Sequence, residues 1–341
     1  MKVLLPLIII LGIAILGWIF LGSGFKKSIE VSPEVLESLS KDKPAIAENE
    51  DQFLNQLEQN AVSGGPPKDG IPAIDKPQYT DVSGADKWLL ENDVVFGVDY
   101  HGFVAAYPQR ILVWHEVLNE TINNEMVSVT YCPLTGTAIG FKGKLAQDLL
   151  SNFGVSGKLV NSNLIMYDRT SDSYWSQIYG KSIKGRAFGR SLEEFPIVWT
   201  TWEKWKKKYP NTKVLSQETG FARNYGENGD PYGSYLRGDG GYYTSDRIIF
   251  EPLDRDNRLK PKTVVVGIRN KERDSVAILK DTLRGKKAME TDLGGRTVVL
   301  TYDQEIDFYE AKFQDTGETI NAFDAMWFAW VAFYPNTKLI Q

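Results

Sequence analysis

Three landmarks occur twice, in the same order, in this 341-residue chain. Val94-Val95-Phe96-Gly97-Val98 returns as Val264-Val265-Val266-Gly267-Ile268, and Val127-Ser128-Val129-Thr130-Tyr131 returns as Val298-Val299-Leu300-Thr301-Tyr302. Trp202-x-x-Trp205-x-x-x-Tyr209-Pro210-Asn211-Thr212-Lys213 returns as Trp327-x-x-Trp330-x-x-x-Tyr334-Pro335-Asn336-Thr337-Lys338. The glycine and tyrosine are 34 residues apart in the first copy and 35 in the second. Order and spacing together indicate an internal duplication over about 93–215 and 262–340. Two units are too few for a solenoid, which needs about three.

The landmarks also carry local structure. Apolar runs of about five residues that end in Gly or a turn read as buried strands. In each tryptophan segment the positions i, i+3 and i+7 share a helical face, and the proline after the tyrosine stops the helix. The first helix exposes Lys204, Lys206, Lys207 and Lys208, whereas Met326 to Phe333 is apolar all round and has to be buried on most sides. The expected fold is therefore α+β, a β-rich core built from a duplicated strand/helix unit, with the two copies fused rather than hinged.

From Val3 to Phe20 the chain is almost wholly apolar, with Lys2 before it and Lys26 and Lys27 after it. That run is long enough to span a bilayer, and the poor small-residue site at Gly22-Ser23-Gly24 favours an uncleaved anchor over a signal peptide. The expectation is an N-terminal transmembrane helix within residues 1–27, contacting the cytoplasmic membrane through residues 3–20, with the globular part extracytoplasmic. Residues 28–62 carry eight acidic residues up to Glu58 and read as an acidic stalk. Residues 63–341 form a single globular domain that begins with a Gly/Pro-rich strap. A net charge of -5 with scattered basic residues excludes a nucleic-acid surface.

The copies differ where chemistry is expected. After its Thr-Tyr the first copy has Cys132, the only cysteine, followed by a Pro133-Leu134-Thr135-Gly136 turn; the second has Asp303 there. The shared architecture therefore does not need the thiol. A thiol at a strand end beside turn amides is a setting that favours a thiolate. The first copy also carries about 46 extra residues between its Tyr131 and Tyr209, within which Asn161, Asp168, Arg169, Trp175 and Gln177 are candidate ligand-binding residues on a pocket wall. Upstream, Arg110, His115 and Glu116 lie in one segment, and Arg110 or His115 is the candidate cationic neighbour of Cys132. Cys132 with His115, and Met166 for copper(I), is the alternative metal-binding reading; no cofactor is required, and copper and zinc stay open. The phosphate-loop, HExxH and GxSxG motifs are all missing from the sequence.

VTYCPLTGT, YPQRILVWHEVLN, SGGPPKDGIPAID, FGVSG with NSNLIMYDR, and YWSQ together resemble domain-of-unknown-function family 3179, over roughly residues 62–341. The resemblance implies a thiol or selenol protein, because the family motif is commonly Tyr-Cys-Pro-Leu-Cys-Gly and some members carry selenocysteine in it. Here the second position is Thr135, so an oxidised Cys132 would need an external thiol or redox partner, with Thr135 left to donate its hydroxyl to the thiolate. The expected function is thiol-dependent redox chemistry at Cys132, by a one-cysteine oxidoreductase or peroxide-reactive protein with Cys132, Thr135, His115 and Arg110 as catalytic residues. The competing expectation is a non-catalytic metal- or small-ligand-binding module.

Overall fold

A computed structural model describes residues 31–41, 44, 47–146, 149–235 and 241–341. In the first copy, hairpin Val94–Tyr100/Phe103–Pro108 is extended on one edge by Val198–Thr201 and on the other by Lys213–Leu215, which runs parallel to Phe103–Pro108. A meander of Val117–Ile122, Glu125–Cys132 and Thr137–Lys142, closed by Glu194–Phe195, forms the second sheet. The second copy repeats this element by element. Hairpin Val264–Arg269/Ser275–Leu279 is flanked by Phe323–Met326 and the parallel Lys338–Ile340. Its meander is Ala288–Leu293, Arg296–Asp303 and Phe308–Phe313, closed by Thr319–Ile320.

The repeated tryptophan motif is a packing device. Trp205 and Trp330 each lie on the glycine of the first strand, Gly97 or Gly267, so closely that a Cβ on either glycine would come within 2.1 Å of the indole. Each indole then donates its N–H to the threonine of the Pro-Asn-Thr-Lys turn, Thr212 or Thr337, at 3.0 Å. Both tryptophans are fully buried. Glycine, tryptophan and threonine are thus retained in both copies because the fold-back of the helix onto its own sheet needs all three.

The extra residues of the first copy replace a single tight turn. Residues 314–318 join two neighbouring strands in the second copy; residues 143–193 join the equivalent strands in the first. This insertion folds into its own sheet, ordered Val62–Ser63, Phe153–Val160, Asn163–Asp168, Tyr174–Ser176 and Lys181–Lys184, plus a small hairpin. Helix Glu48–Gln59, expected within an acidic stalk, lies against the insertion with Leu54 and Leu57 buried, and Glu50 and Glu58 pair with Lys181 and Lys184.

These observations correct two expectations. The described chain is β-rich, with six separate sheets, seven short helices and no closed barrel, rather than an α+β core plus a transmembrane helix. Among the described residues no helix is long and apolar enough to cross a membrane. The longest, Glu48–Gln59, has 12 residues and a polar face, against the ~20 apolar residues a span requires. The apolar run 3–20 lies outside the described residues, so a single N-terminal pass, and the extracytoplasmic placement that rested on it, is not supported.

The copies are joined through the core. Helix Trp327–Phe333 is buried along its whole length, and its cluster takes in Cys132, the insertion and both copies. The Met326 amide donates to the Thr135 carbonyl, and Arg269 of the second copy pairs with Glu194 of the first at 2.5 Å, both side chains nearly buried. Asn321 donates a further hydrogen bond to that carboxylate at 2.8 Å. Arg269→Met leaves Glu194 buried without its charge partner, and an expected loss of about 3–5 kcal/mol should appear in urea unfolding. An Arg269→Met/Glu194→Leu double variant should recover most of it.

Candidate functional site

Cys132 ends strand Glu125–Cys132 and faces Thr137 across a tight turn in which Gly136 takes φ +61°. Only 1% of Cys132 is exposed, and its Sγ lies 3.7 Å from the Ser162 carbonyl of the insertion. The Thr135 hydroxyl and the backbone amides of Thr135 and Leu164 favour the thiolate. Burial first, and the negative charge of Glu116 second, outweigh them and push the thiol up to about 11. At neutral pH Cys132 therefore rests as the thiol.

Thr135 is held by a buried network that the insertion completes. Asn163 Nδ2 donates to Thr135 Oγ1 at 3.0 Å and to Gln177 Oε1 at 2.8 Å, while Thr137 Oγ1 donates to the same Gln177 oxygen at 2.7 Å. Gln177 Nε2 donates to Thr130 Oγ1 at 3.0 Å, and the Ile178 amide donates to Asn163 Oδ1 at 3.0 Å. Every polar atom that these side chains present has a partner, which fixes the Thr135 rotamer beside the sulfur.

Glu116 is the unusual neighbour. It sits at φ +57°, a region that non-glycine residues adopt only where surrounding structure holds them there. Its side chain is buried, with 6% exposed. Burial raises its pKa to about 8. Tyr232 and Tyr242, from the segment between the copies, complete the enclosure. The Tyr242 hydroxyl donates to the Leu134 carbonyl at 2.7 Å, and the Tyr232 hydroxyl, raised chiefly by burial, also feels the charges of Glu116 and Cys132.

The remaining sequence candidates are tied elsewhere. His115 donates from Nδ1 to the Pro72 carbonyl at 2.7 Å and accepts at Nε2 from the Tyr225 hydroxyl at 2.6 Å; burial pulls its pKa down to about 4. With both nitrogens engaged the ring offers neither a free lone pair nor a cation. Arg110 pairs with Asp93 and donates to the Trp88 carbonyl. Asp168 accepts from Ser171, the Ser173 amide and Trp175 Nε1, organising a turn. Arg169 pairs with Asp75 at 2.7 Å, and Asn161 ties the insertion to the Leu253 amide and the Ala332 carbonyl. Met166 and Trp175 are core residues. Of these candidates, the structure brings together Cys132, Thr135 and Gln177. Among the described residues no group of three or more His, Cys, Asp or Glu converges as a metal site would need.

Sequence reasoning named Glu116 beside His115 and gave it no role, because neither its positive φ nor its burial shows in the sequence. Asn163 lay in the NSNLIMYDR segment without being separated from its neighbours, and Tyr232 and Tyr242 lay outside both copies.

No curated protein and no solved structure matches the chain significantly. A family model described as protein of unknown function (DUF3179) matches residues 68–337, which takes in both copies, the insertion and the segment between them. The duplicated scaffold and the Cys132 turn grafted on it therefore lie within one family unit, and the chain belongs to the DUF3179 family.

Proposed function

We propose that Cys132 is a one-thiol reactive centre for small uncharged hydroperoxides, with Glu116 as its proton acceptor. The observation that carries this reading is a buried glutamate, held at a positive φ and set electrostatically against the only cysteine. A carboxyl raised to about 8 is a far better match for a thiol at about 11 than an ordinary carboxylate would be, so proton transfer between them costs about 4 kcal/mol instead of about 9. At 1% exposure the sulfur is out of reach of a folded protein's disulfide, which restricts the proposed oxidant to one as small as hydrogen peroxide or a short alkyl hydroperoxide.

In the step proposed, ionised Glu116 takes the thiol proton and the Cys132 sulfur attacks the nearer peroxide oxygen. The O–O bond breaks, and the leaving alkoxide takes the proton back from Glu116, with Tyr232 placed to donate to it. The net change is thiol plus ROOH to sulfenic acid plus ROH. With no second cysteine in the chain, a small external thiol would condense with the sulfenic acid, giving a mixed disulfide and water, and a second would release Cys132.

The test is the pH dependence of Cys132 oxidation by hydrogen peroxide, followed as sulfenic acid formation in wild type and Glu116→Gln. The expected wild-type rate rises with a midpoint near 8, and Glu116→Gln is slower by about 100-fold or more. Were Glu116 only a charge that hinders ionisation, the variant would lower the thiol pKa and react faster. An equal or faster rate, or no sulfenic acid in the wild type, overturns the proposal.

A further inference from the structure

Between the two copies lies a cleft of about 400 Å³, bounded by the Gly136 turn of the first copy and the Leu279–Arg284 segment of the second. Two of its residues are counterparts: Trp199 opposes Phe96 of the first strand just as Asp324 opposes Val266. Lys280 likewise stands where the first copy has Gln109, each following the residue that opposes Val95 or Val265. The second copy thus places a Lys280–Asp324 ion pair, with both side chains about nine-tenths buried, where the first has a neutral amide and an indole. The scaffold does not require this pair, and burying it is costly.

Around it are Asp307, 3.9 Å from Lys280, and Arg284, which bridges Asp307 and Asp281 at the rim. Beneath it the buried Tyr309 hydroxyl has no hydrogen-bond partner among the described residues, although its ring lies 5.5 Å from the Lys280 ammonium. The opposite wall is aromatic and half-buried: Trp199 and Tyr235 meet edge to face at 5.4 Å, with Met326 beside them.

We propose that this cleft, which shares the Gly136 turn with the Cys132 site, binds a zwitterion with an aromatic side chain, of the free α-amino acid class. A ligand with one charge meets attraction from one member of each ion pair and repulsion from the other. A zwitterion matches both, its carboxylate directed to Lys280 and Arg284 and its ammonium to Asp324 and Asp281. Its ring then packs on Trp199 and Tyr235, in a volume usual for small-ligand sites.

Isothermal titration of the full chain with L-tryptophan, L-phenylalanine, glycine, indole and tryptamine tests this. Saturable binding of the two aromatic amino acids is expected, with indole, tryptamine and glycine each at least about tenfold weaker. Trp199→Leu, and the double variant Lys280→Met/Asp324→Leu that removes the pair without stranding a charge, should each weaken L-tryptophan binding at least about tenfold. The absence of wild-type binding up to the solubility limit overturns the proposal. So does indole binding as tightly as L-tryptophan, or wild-type affinity retained by both variants.

Discussion

Trp330→Ala is expected to cost about 3–5 kcal/mol, a large part of the stability of a domain this size. The loss combines a cavity over Gly267, a buried Thr337 hydroxyl left without its indole donor, and the end of the edge-to-face contact with Phe323 at 5.6 Å. Trp205→Ala removes the same device from the first copy. Its cluster is confined largely to that copy and its helix faces solvent on the lysine side, so the loss should be the smaller of the two. Trp330 belongs instead to the cluster that joins both copies and the insertion. Urea unfolding of the two variants measures the difference. Equal losses would mean that each copy stands on its own packing.

The adjacent pair His115–Glu116 should shape the pH dependence of stability. Folding lowers the His115 pKa from 6.5 to about 4, so between those values the unfolded chain binds the extra proton and stability falls as pH drops. Folding raises the Glu116 pKa from 4.5 to about 8, so between those values the folded chain holds the extra proton and stability falls as pH rises. Each slope is about 1.4 kcal/mol per pH unit. They oppose one another between 4.5 and 6.5, and above 6.5 Glu116 acts alone, giving an expected loss of about 2 kcal/mol by pH 8. Subtracting the Glu116→Gln unfolding profile from the wild-type one isolates this arm. A flat difference between pH 6.5 and 8 would mean that Glu116 is ionised in the folded protein.

The repeated landmarks were legible because they are packing contacts themselves: Gly97, Trp205 and Thr212 form one interlocking set, as do Gly267, Trp330 and Thr337. The insertion was legible from length alone, since a copy that needs 51 residues to cross from 143 to 193 where its twin needs 5 must fold something extra there. Cys132 stood out by being absent from the second copy, where Asp303 takes its place. Its surroundings were not legible. The Glu116 charge acts on the cysteine from a backbone conformation that no residue type advertises, and Tyr232 and Tyr242 arrive from a segment between the repeats. His115 drew attention for its intrinsic pKa, which burial between Pro72 and Tyr225 removes. The apolar N-terminal run carried the membrane expectation by itself, and nothing among the described helices adds to it.

The insertion leaves and re-enters the scaffold through adjacent strands, Phe141 being paired with Glu194 and Gly140 with Phe195. Its two ends therefore form a single junction. The sulfur comes from the scaffold, but the Leu164 amide and the Ser162 carbonyl beside it, and the Asn163–Gln177 pair that holds Thr135, come from the insertion. One cassette, joined at one hairpin, thus supplies much of the chemical environment of Cys132 and part of the core that both repeats share.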